Sequence, residues 1–185
     1  MYPQSSAGRG NRGGRPMFSS KNMARPRVKT IDTNKFINKA VEPKEEVAYV
    51  STHKFVDFKF DDRLQFNVES HGYVTPSPIQ DGAIPHVLNG RDVIGLANTG
   101  TGKTAAFLLP IIQRMLHRQA KRALVLIPTR ELAIQIEEEF KIFARGLNLY
   151  ATLVVGGASV GRQLSQIARG PQFIIATPGR LKDLI

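Results

Sequence analysis

The chain has 185 residues, of which 42% are hydrophobic, and a net charge of +11. This length and composition are typical of one globular domain with a substantial core, and the lack of cysteine excludes disulfides and cysteine-ligated metals. No apolar run approaches the ~18 residues of a membrane span, and the first residues lack a signal-peptide core, so we expect a cytoplasmic protein without a membrane partner.

The positive charge is concentrated near the N-terminus. Residues 1–30 contain seven lysines or arginines and no acidic residue, whereas residues 53–185 contain 16 basic and 11 acidic residues. The Gly/Arg-rich run 8–15 cannot bury enough apolar surface to offset its ordering entropy. We therefore predict a disordered basic tail and linker over residues 1–52. Such a tail can bind a polyanion such as RNA, or it can serve only to keep the protein soluble.

The folded domain is predicted to begin near His53, over residues 53–185, with two helices. The first ends at Gly72, which can adopt the left-handed conformation common after a helix. The second is predicted to run from Pro78 to about Leu88, because Ser77 is a good N-cap and proline suits the first helical position.

From residue 92 onward, apolar runs typical of buried strands alternate with helical segments. This alternation predicts an α/β fold, a parallel sheet flanked by helices and joined by right-handed crossovers. The predicted strands cover residues 92–96, 122–127, 150–155 and 173–176, and the helices after them begin at Lys103, Arg130, Ser159 and Arg180.

A small-residue turn joins the first of these predicted strands to its helix. A turn of this kind presents backbone N–H groups to an anion, and its glycines allow close approach. Lys103 can place its ammonium on the β- and γ-phosphates of a nucleotide, and the Thr104 hydroxyl can ligate Mg²⁺. We therefore expect the turn to bind a nucleoside triphosphate. Its residues are Ala97, Asn98, Thr99, Gly100, Thr101, Gly102, Lys103 and Thr104, with Ala97 where the usual motif has glycine.

Three more loops follow the later predicted strands. Because the carboxyl ends of parallel strands meet at one edge of a sheet, these loops should share that edge with the phosphate loop. Hydroxyls, backbone N–H groups at helix starts and arginines suit a nucleic-acid backbone. The loops are Pro128-Thr129-Arg130, Gly156-Gly157 and Thr177-Pro178-Gly179-Arg180.

Together with residues 72–80, these motifs resemble, in order and spacing, the first RecA-like domain of DEAD-box ATP-dependent RNA helicases. The resemblance covers residues 53–185, with a Q motif at about 53–81 and the phosphate loop at 97–104. Alanine at position 97 is usual in that family. The resemblance implies that Gln80 pairs with the adenine of ATP, that Phe55 stacks on the base, and that Lys103 and Thr104 take part in catalysis with Mg²⁺. It also implies that the three further loops contact the RNA backbone without sequence preference.

The sequence contains no Asp-Glu-Ala-Asp motif and nothing that resembles the family's second domain. We therefore expect an incomplete first domain of a helicase, inactive by itself, whose parent hydrolyses ATP and separates short RNA duplexes with a second RecA-like domain. Two alternatives stay open. Another P-loop enzyme, such as a nucleotide kinase, would have no use for Gln80, Arg130 or Arg180 in these places. A non-enzymatic module could bind RNA through the basic tail.

Overall fold

A computed structural model describes residues 49–185 of the chain, and most of the predicted tail and linker lies outside the described residues. Among the helices of this part, none is both long and apolar enough to cross a membrane. A 3₁₀ turn spans Phe55–Phe58. The regular elements that follow are α1 (Asp62–Ser70), α2 (Pro78–Leu88), α3 (Lys103–Leu116), β1 (Ala123–Leu126), α4 (Arg130–Phe143), β2 (Ala151–Val154), α5 (Val160–Ala168), β3 (Phe173–Ala176) and α6 (Pro178–Asp183).

The three strands form a parallel sheet in the order β1-β3-β2. Phe173 at the start of the central strand β3 is in register with Ala123 of β1 and with Ala151 of β2. Phe173 and Ile175 are fully buried, as expected for a central strand that is covered by helices on both faces. The predicted α/β architecture with a parallel sheet is confirmed.

The predicted strand at 92–96 was wrong. In the described part of the chain this segment has no strand partner, and Ile94 and Leu96 are 94% and 92% exposed. A strand is stabilised by backbone hydrogen bonds to a neighbour, and the apolar pattern of a segment cannot supply that neighbour. One face of the edge strand β1 is also open to solvent, since Leu124 and Leu126 are each more than half exposed.

Local signals placed the starts of α2, α3 and α4 correctly, whereas α5 begins at Val160 and α6 at Pro178, not at Ser159 and Arg180. Ser77 forms a capping box with Gln80 at the start of α2, and the Thr129 hydroxyl accepts a hydrogen bond from the N–H of Leu132 at the start of α4. Gly72 follows α1 with a φ of +84°, the left-handed conformation predicted for it. These helix starts matter because α3 and α4 begin at the phosphate loop and at Arg130.

The core lies between the sheet and the helices α1 to α4. Helix α3 packs mainly against α2 and buries Leu108, Leu109 and Ile112 completely. On α4, the Phe140 ring lies 4.4 Å from the ring of Phe173 in the central strand, measured between centroids. Burial of side chains of this size is worth about 1.5–3 kcal/mol each. This packing fixes the N-terminal ends of α3 and α4 relative to the sheet.

Candidate nucleotide and RNA site

Within the phosphate loop, the turn ends at Gly102, the N-cap residue of α3, and Lys103 and Thr104 are the first two residues of the helix. Gly100 and Gly102 have φ values of +81° and +84°, which residues with a side chain rarely adopt. The first N–H groups of a helix have no acceptor within the helix, and the helix dipole favours an anion there. The geometry is therefore that of an anion-binding helix start.

The Lys103 ammonium lies over the loop itself. Its Nζ donates to the carbonyl oxygen of Ala97 at 2.7 Å and to that of Asn98. The Thr101 hydroxyl also donates to the Asn98 oxygen, at 2.8 Å. A bound phosphate would replace these neutral acceptors of the lysine with charged oxygens, and hydrogen bonds between two charged groups are stronger.

The carboxamide of Gln80 joins helix α2 to the phosphate loop. The side chain is only 3% exposed, its Oε1 accepts from the N–H of Ser77 at 2.9 Å, and its Nε2 donates to the carbonyl oxygen of Gly102 at 3.1 Å. The Ser77 hydroxyl adds a bond to the carbonyl oxygen of Thr101 at 2.7 Å. Three hydrogen bonds thus connect the first turn of α2, its N-cap and the turn that opens α3.

A groove of about 550 Å³ opens beside Gln80. Gly100, Thr101 and Gly102 line it on one side, and Tyr73 lines it on another. Burial raises the pKa of the Tyr73 hydroxyl, and the nearby carboxylate of Glu139 adds to the increase. Tyr73 therefore presents a neutral ring to this groove.

The structure places Phe55 in the core, where its side chain does not line this groove. The side chain is 2% exposed, and its ring packs edge-on against Phe58 at 5.8 Å and Tyr73 at 5.6 Å. A ring enclosed in this way offers no face to a base, so the predicted stacking of Phe55 on adenine is not supported. The aromatic residues that line the groove are Tyr73 and His71, whose rings stack at 6.3 Å. The sequence gives one indication of the place of Tyr73 in this groove, which is that it directly follows Gly72, the glycine after α1.

The three further loops meet at the C-terminal edge of the sheet. Arg130, after β1, donates from Nη1 to the carbonyl oxygen of Gly156 at 3.3 Å. Arg180, after β3, donates from Nη1 to the carbonyl oxygen of Ala158 at 2.9 Å. Gly157 has a φ of +76°, and a Cβ on it would lie 2.8 Å from the Arg130 guanidinium. Arginines in the first turns of α4 and α6 thus hold the glycine loop that follows β2, and the predicted convergence of these segments is confirmed.

The phosphate loop and the first turn of α4 border one depression in the surface. Leu132, in the first turn of α4, lines one depression of about 520 Å³ together with Lys103 and Thr104. The first turns of α3 and α4 therefore lie beside the same depression, most of which is lined by α2, α3 and the segment 91–95. Residues 49–185 contain no cluster of acidic, histidine or cysteine side chains that could hold a metal ion by itself.

A family model of DEAD/DEAH box helicases matches residues 77–185, which include the phosphate loop and all three converging loops. The chain belongs to the DEAD/DEAH box helicase family. One relative of this helicase chain, the ATP-dependent rRNA helicase RRP3 of Meyerozyma guilliermondii, is 46% identical over 132 residues, which are 71% of this chain and 28% of that protein.

Solved structures of helicases confirm the fold. The RNA helicase Prp28 of Chaetomium thermophilum bound to ADP is 42% identical with a TM-score of 0.65, over 73% of this chain and 34% of that one. A hypothetical ATP-dependent RNA helicase of Sulfolobus tokodaii is 33% identical with a TM-score of 0.61, over 68% and 36% of the two chains. The described domain has a RecA-like helicase fold. The chain spans 32% and 28% of the length of two curated relatives that it matches.

Sequence reasoning missed one polar residue of this helicase domain, Asp81. Its carboxylate is 4% exposed and accepts hydrogen bonds from the Tyr49 hydroxyl at 2.5 Å, the Thr52 N–H at 2.7 Å and His53 Nδ1 at 2.5 Å. Burial raises the pKa of the Asp81 carboxyl, but the hydrogen bonds from Tyr49, His53 and Thr52 outweigh it and hold the pKa well below its usual range. Periodicity could not have indicated this residue, because its partners lie some 30 positions earlier.

Asp81→Asn is expected to lower the free energy of unfolding at pH 7 and to lower it less in acid. The folded-state pKa lies below the unfolded value of about 3.9, so the ionised carboxylate stabilises the folded state fully above about pH 4–5. That stabilisation is lost as the pH falls through the folded-state pKa. Urea unfolding of both proteins at pH 7 and pH 3 measures the difference, with Glu138→Gln on the exposed face of α4 as a control. An equal difference at the two pH values would contradict this assignment.

Proposed function

We propose that this chain is the ATP- and RNA-binding domain of an ATP-dependent RNA helicase. The observation that carries the proposal is the convergence of Arg130 and Arg180 on the loop at 156–158, next to a first turn of α4 that also borders the depression lined by Lys103 and Thr104. A nucleotide kinase needs no such second surface of arginines and glycines beside its triphosphate site. Two relatives, 42% and 46% identical to the aligned parts of this chain, are named as a putative ATP-dependent RNA helicase and an ATP-dependent rRNA helicase.

In this proposal the phosphate loop binds the triphosphate of ATP, and Gln80 reads the base. The Gln80 carboxamide uses one lone pair of Oε1 on Ser77 and one N–H of Nε2 on Gly102. A carboxamide oxygen has a second lone pair and its nitrogen a second N–H, so one acceptor and one donor remain for adenine. Guanine presents an acceptor, O6, where adenine presents the N6 amino donor, so the carboxamide oxygen would have no donor there. Tyr73 and His71 line the groove that would hold the base.

We further propose that Mg²⁺ accompanies the bound ATP, with the hydroxyl of Thr104 among its ligands. The ion would neutralise charge on the phosphate oxygens. Lys103 would hold the β- and γ-phosphates with its ammonium, and the loop glycines would let backbone N–H groups approach them. These roles of Lys103 and Thr104 are positioning and charge stabilisation.

RNA would bind along the three converging loops by its sugar–phosphate backbone. Arg130 and Arg180 supply the charge, and Thr129 and Thr177 start the helices α4 and α6 with hydroxyl side chains. Gly156 and Gly157 have no side chain to keep a strand away, while Pro128, Pro178 and Gly179 complete the loops. Contacts to the backbone position an RNA without reading its sequence, so we expect little sequence preference.

Arg130→Ala is expected to weaken RNA binding about equally for different sequences and to make the dependence on salt less steep. Each neutralised phosphate contributes about −0.7 to the slope of log K against log salt for a single strand, so the slope should become less negative by about that amount. Binding of two unrelated single-stranded RNAs over a range of salt concentrations measures it.

Arg122→Ala is the matched control, because this exposed arginine precedes β1 at the opposite edge of the sheet. An affinity of the wild type that does not depend on salt, or equal effects of the two substitutions, would count against the proposed RNA surface. RNA binding by residues 1–52 alone, with Arg130→Ala without effect, would favour the tail-based module instead.

We propose duplex separation only for a protein as long as the relatives. In such a protein a second RecA-like domain would close against this one over bound ATP and RNA. By themselves, the 185 residues are expected to bind nucleotide weakly without turning it over, since the sequence contains no Asp-Glu-Ala-Asp motif. The acidic residues of that motif would position the attacking water and the metal ion, and transition-state stabilisation of this kind is worth several orders of magnitude in rate. ATP turnover by the chain with and without RNA tests this, and RNA-stimulated turnover would contradict it.

A further inference from the structure

The segment Tyr49–His53, here called the strap, lies across the first turn of α2. Its three donors all bind one carboxylate, that of Asp81: the Tyr49 hydroxyl, the Thr52 N–H and His53 Nδ1. The Ser51 hydroxyl bonds to the carbonyl oxygen of His53 at 2.6 Å and stiffens the strap from within. The conformation of five residues is therefore organised by a single side chain.

Asp81 has more hydrogen-bond partners than an acidic residue needs in order to stabilise a helix start. An exposed aspartate in the first turn already interacts favourably with the helix dipole, with no other partner. Here the carboxylate is 4% exposed, and burying a charge is costly unless hydrogen bonds compensate for it. All the compensating donors come from the strap, so the burial of Asp81 and the docking of the strap depend on each other.

Asp81 is the residue after Gln80, and the two side chains hold the same helical turn from two sides. Gln80 bonds to Gly102 of the phosphate loop, whereas Asp81 bonds to the strap. Successive residues of a helix point about 100° apart, so a turn fixed by both has little freedom to rotate. Without the strap, only the hydrogen bonds to the phosphate loop would hold the turn that carries the Gln80 carboxamide.

We propose that Asp81 is a positioning residue for base recognition, which acts through the strap to hold the Gln80 carboxamide in place beside the phosphate loop. This inference rests on the proposed function, in which Gln80 distinguishes adenine from guanine. A residue that only stabilises the fold would alter the binding of all nucleotides alike. A residue that orients Gln80 changes the preference between ATP and GTP.

The test measures the affinities of the 185-residue chain for ATP and GTP well below its unfolding temperature. Asp81→Ala is expected to reduce the ATP/GTP affinity ratio by about tenfold, the effect of one imperfect hydrogen bond, and Tyr49→Phe by a smaller factor. Asp81→Asn, which keeps an acceptor oxygen, is expected to restore part of the ratio. Tyr150→Phe, at a tyrosine that is 65% exposed, is the matched control and should leave the ratio unchanged.

Gln80→Ala separates this inference from the proposed function. If Gln80→Ala leaves the ATP/GTP ratio at the wild-type value, base reading by Gln80 is wrong. If Gln80→Ala abolishes the preference while Asp81→Ala and Tyr49→Phe retain it and change only the unfolding temperature, Asp81 is purely structural and the inference is overturned. Should Asp81→Ala fail to fold, Tyr49→Phe decides, because it removes a single hydroxyl from the edge of the strap.

Discussion

Lys103→Ala is expected to lower the affinity for ATP by about ten- to a hundredfold and to leave the affinity for AMP nearly unchanged. The ammonium lies 2.7 Å from the Ala97 carbonyl oxygen, within the loop that would surround the β- and γ-phosphates. Hydrogen bonds that involve a charged group contribute about 1.5–3 kcal/mol, and AMP lacks both phosphates that the lysine would reach. Titration of ATP and AMP against the wild type and the variant measures the two effects.

Lys121→Ala is the matched control for this substitution. Lys121 is exposed and precedes β1, at the opposite edge of the sheet from the converging loops, and its removal changes the net charge by the same amount. If both substitutions weaken ATP binding equally, the effect of Lys103 is one of general electrostatics, which salt would screen. If Lys103→Ala binds ATP as the wild type does, the loop at 97–104 is not the triphosphate site.

The helices were predictable because their starts depend on local chemistry. Ser77 and Thr129 cap α2 and α4 where the sequence places a hydroxyl before a helical pattern. The strand prediction at 92–96 failed for the opposite reason, since pairing is a property of two segments and an apolar run specifies only one of them. Ile94 and Leu96 have the residue types of a buried strand and are nevertheless almost fully exposed.

The site was predictable in part. The glycines, Lys103 and Arg130 belong to contiguous motifs, and the rule for parallel strands brings their loops to one edge. The spacing of Phe55 and Phe58 is that of an ordinary core pair, which is what the structure shows, whereas the resemblance alone assigned Phe55 to the base. Gln80 on its own would be expected on the surface of a helix, and its burial depends on Gly102, 22 positions later in the chain.

Gly102→Ala is expected to destabilise the domain by about 1–3 kcal/mol more than Gly100→Ala. Both glycines have a φ near +80°, so both substitutions carry the same backbone strain, about 1–2 kcal/mol. A Cβ at Gly100 would have no atom within 4 Å, whereas one at Gly102 would lie 2.3 Å from Nε2 of Gln80. The Gln80 amide would have to leave the Gly102 carbonyl oxygen, and a buried donor without an acceptor costs about 1–3 kcal/mol.

Urea unfolding of the two alanine variants isolates that second cost, because the strain is common to both and cancels in the comparison. The ATP/GTP affinity ratio should fall for Gly102→Ala, since the displaced carboxamide is the proposed reader of adenine, and should be retained in Gly100→Ala. Equal losses of stability would mean that Gln80 can leave Gly102 at no cost. The first turn of α2 would then not be coupled to the phosphate loop, and base recognition would have to be sought elsewhere along the groove that Tyr73 lines.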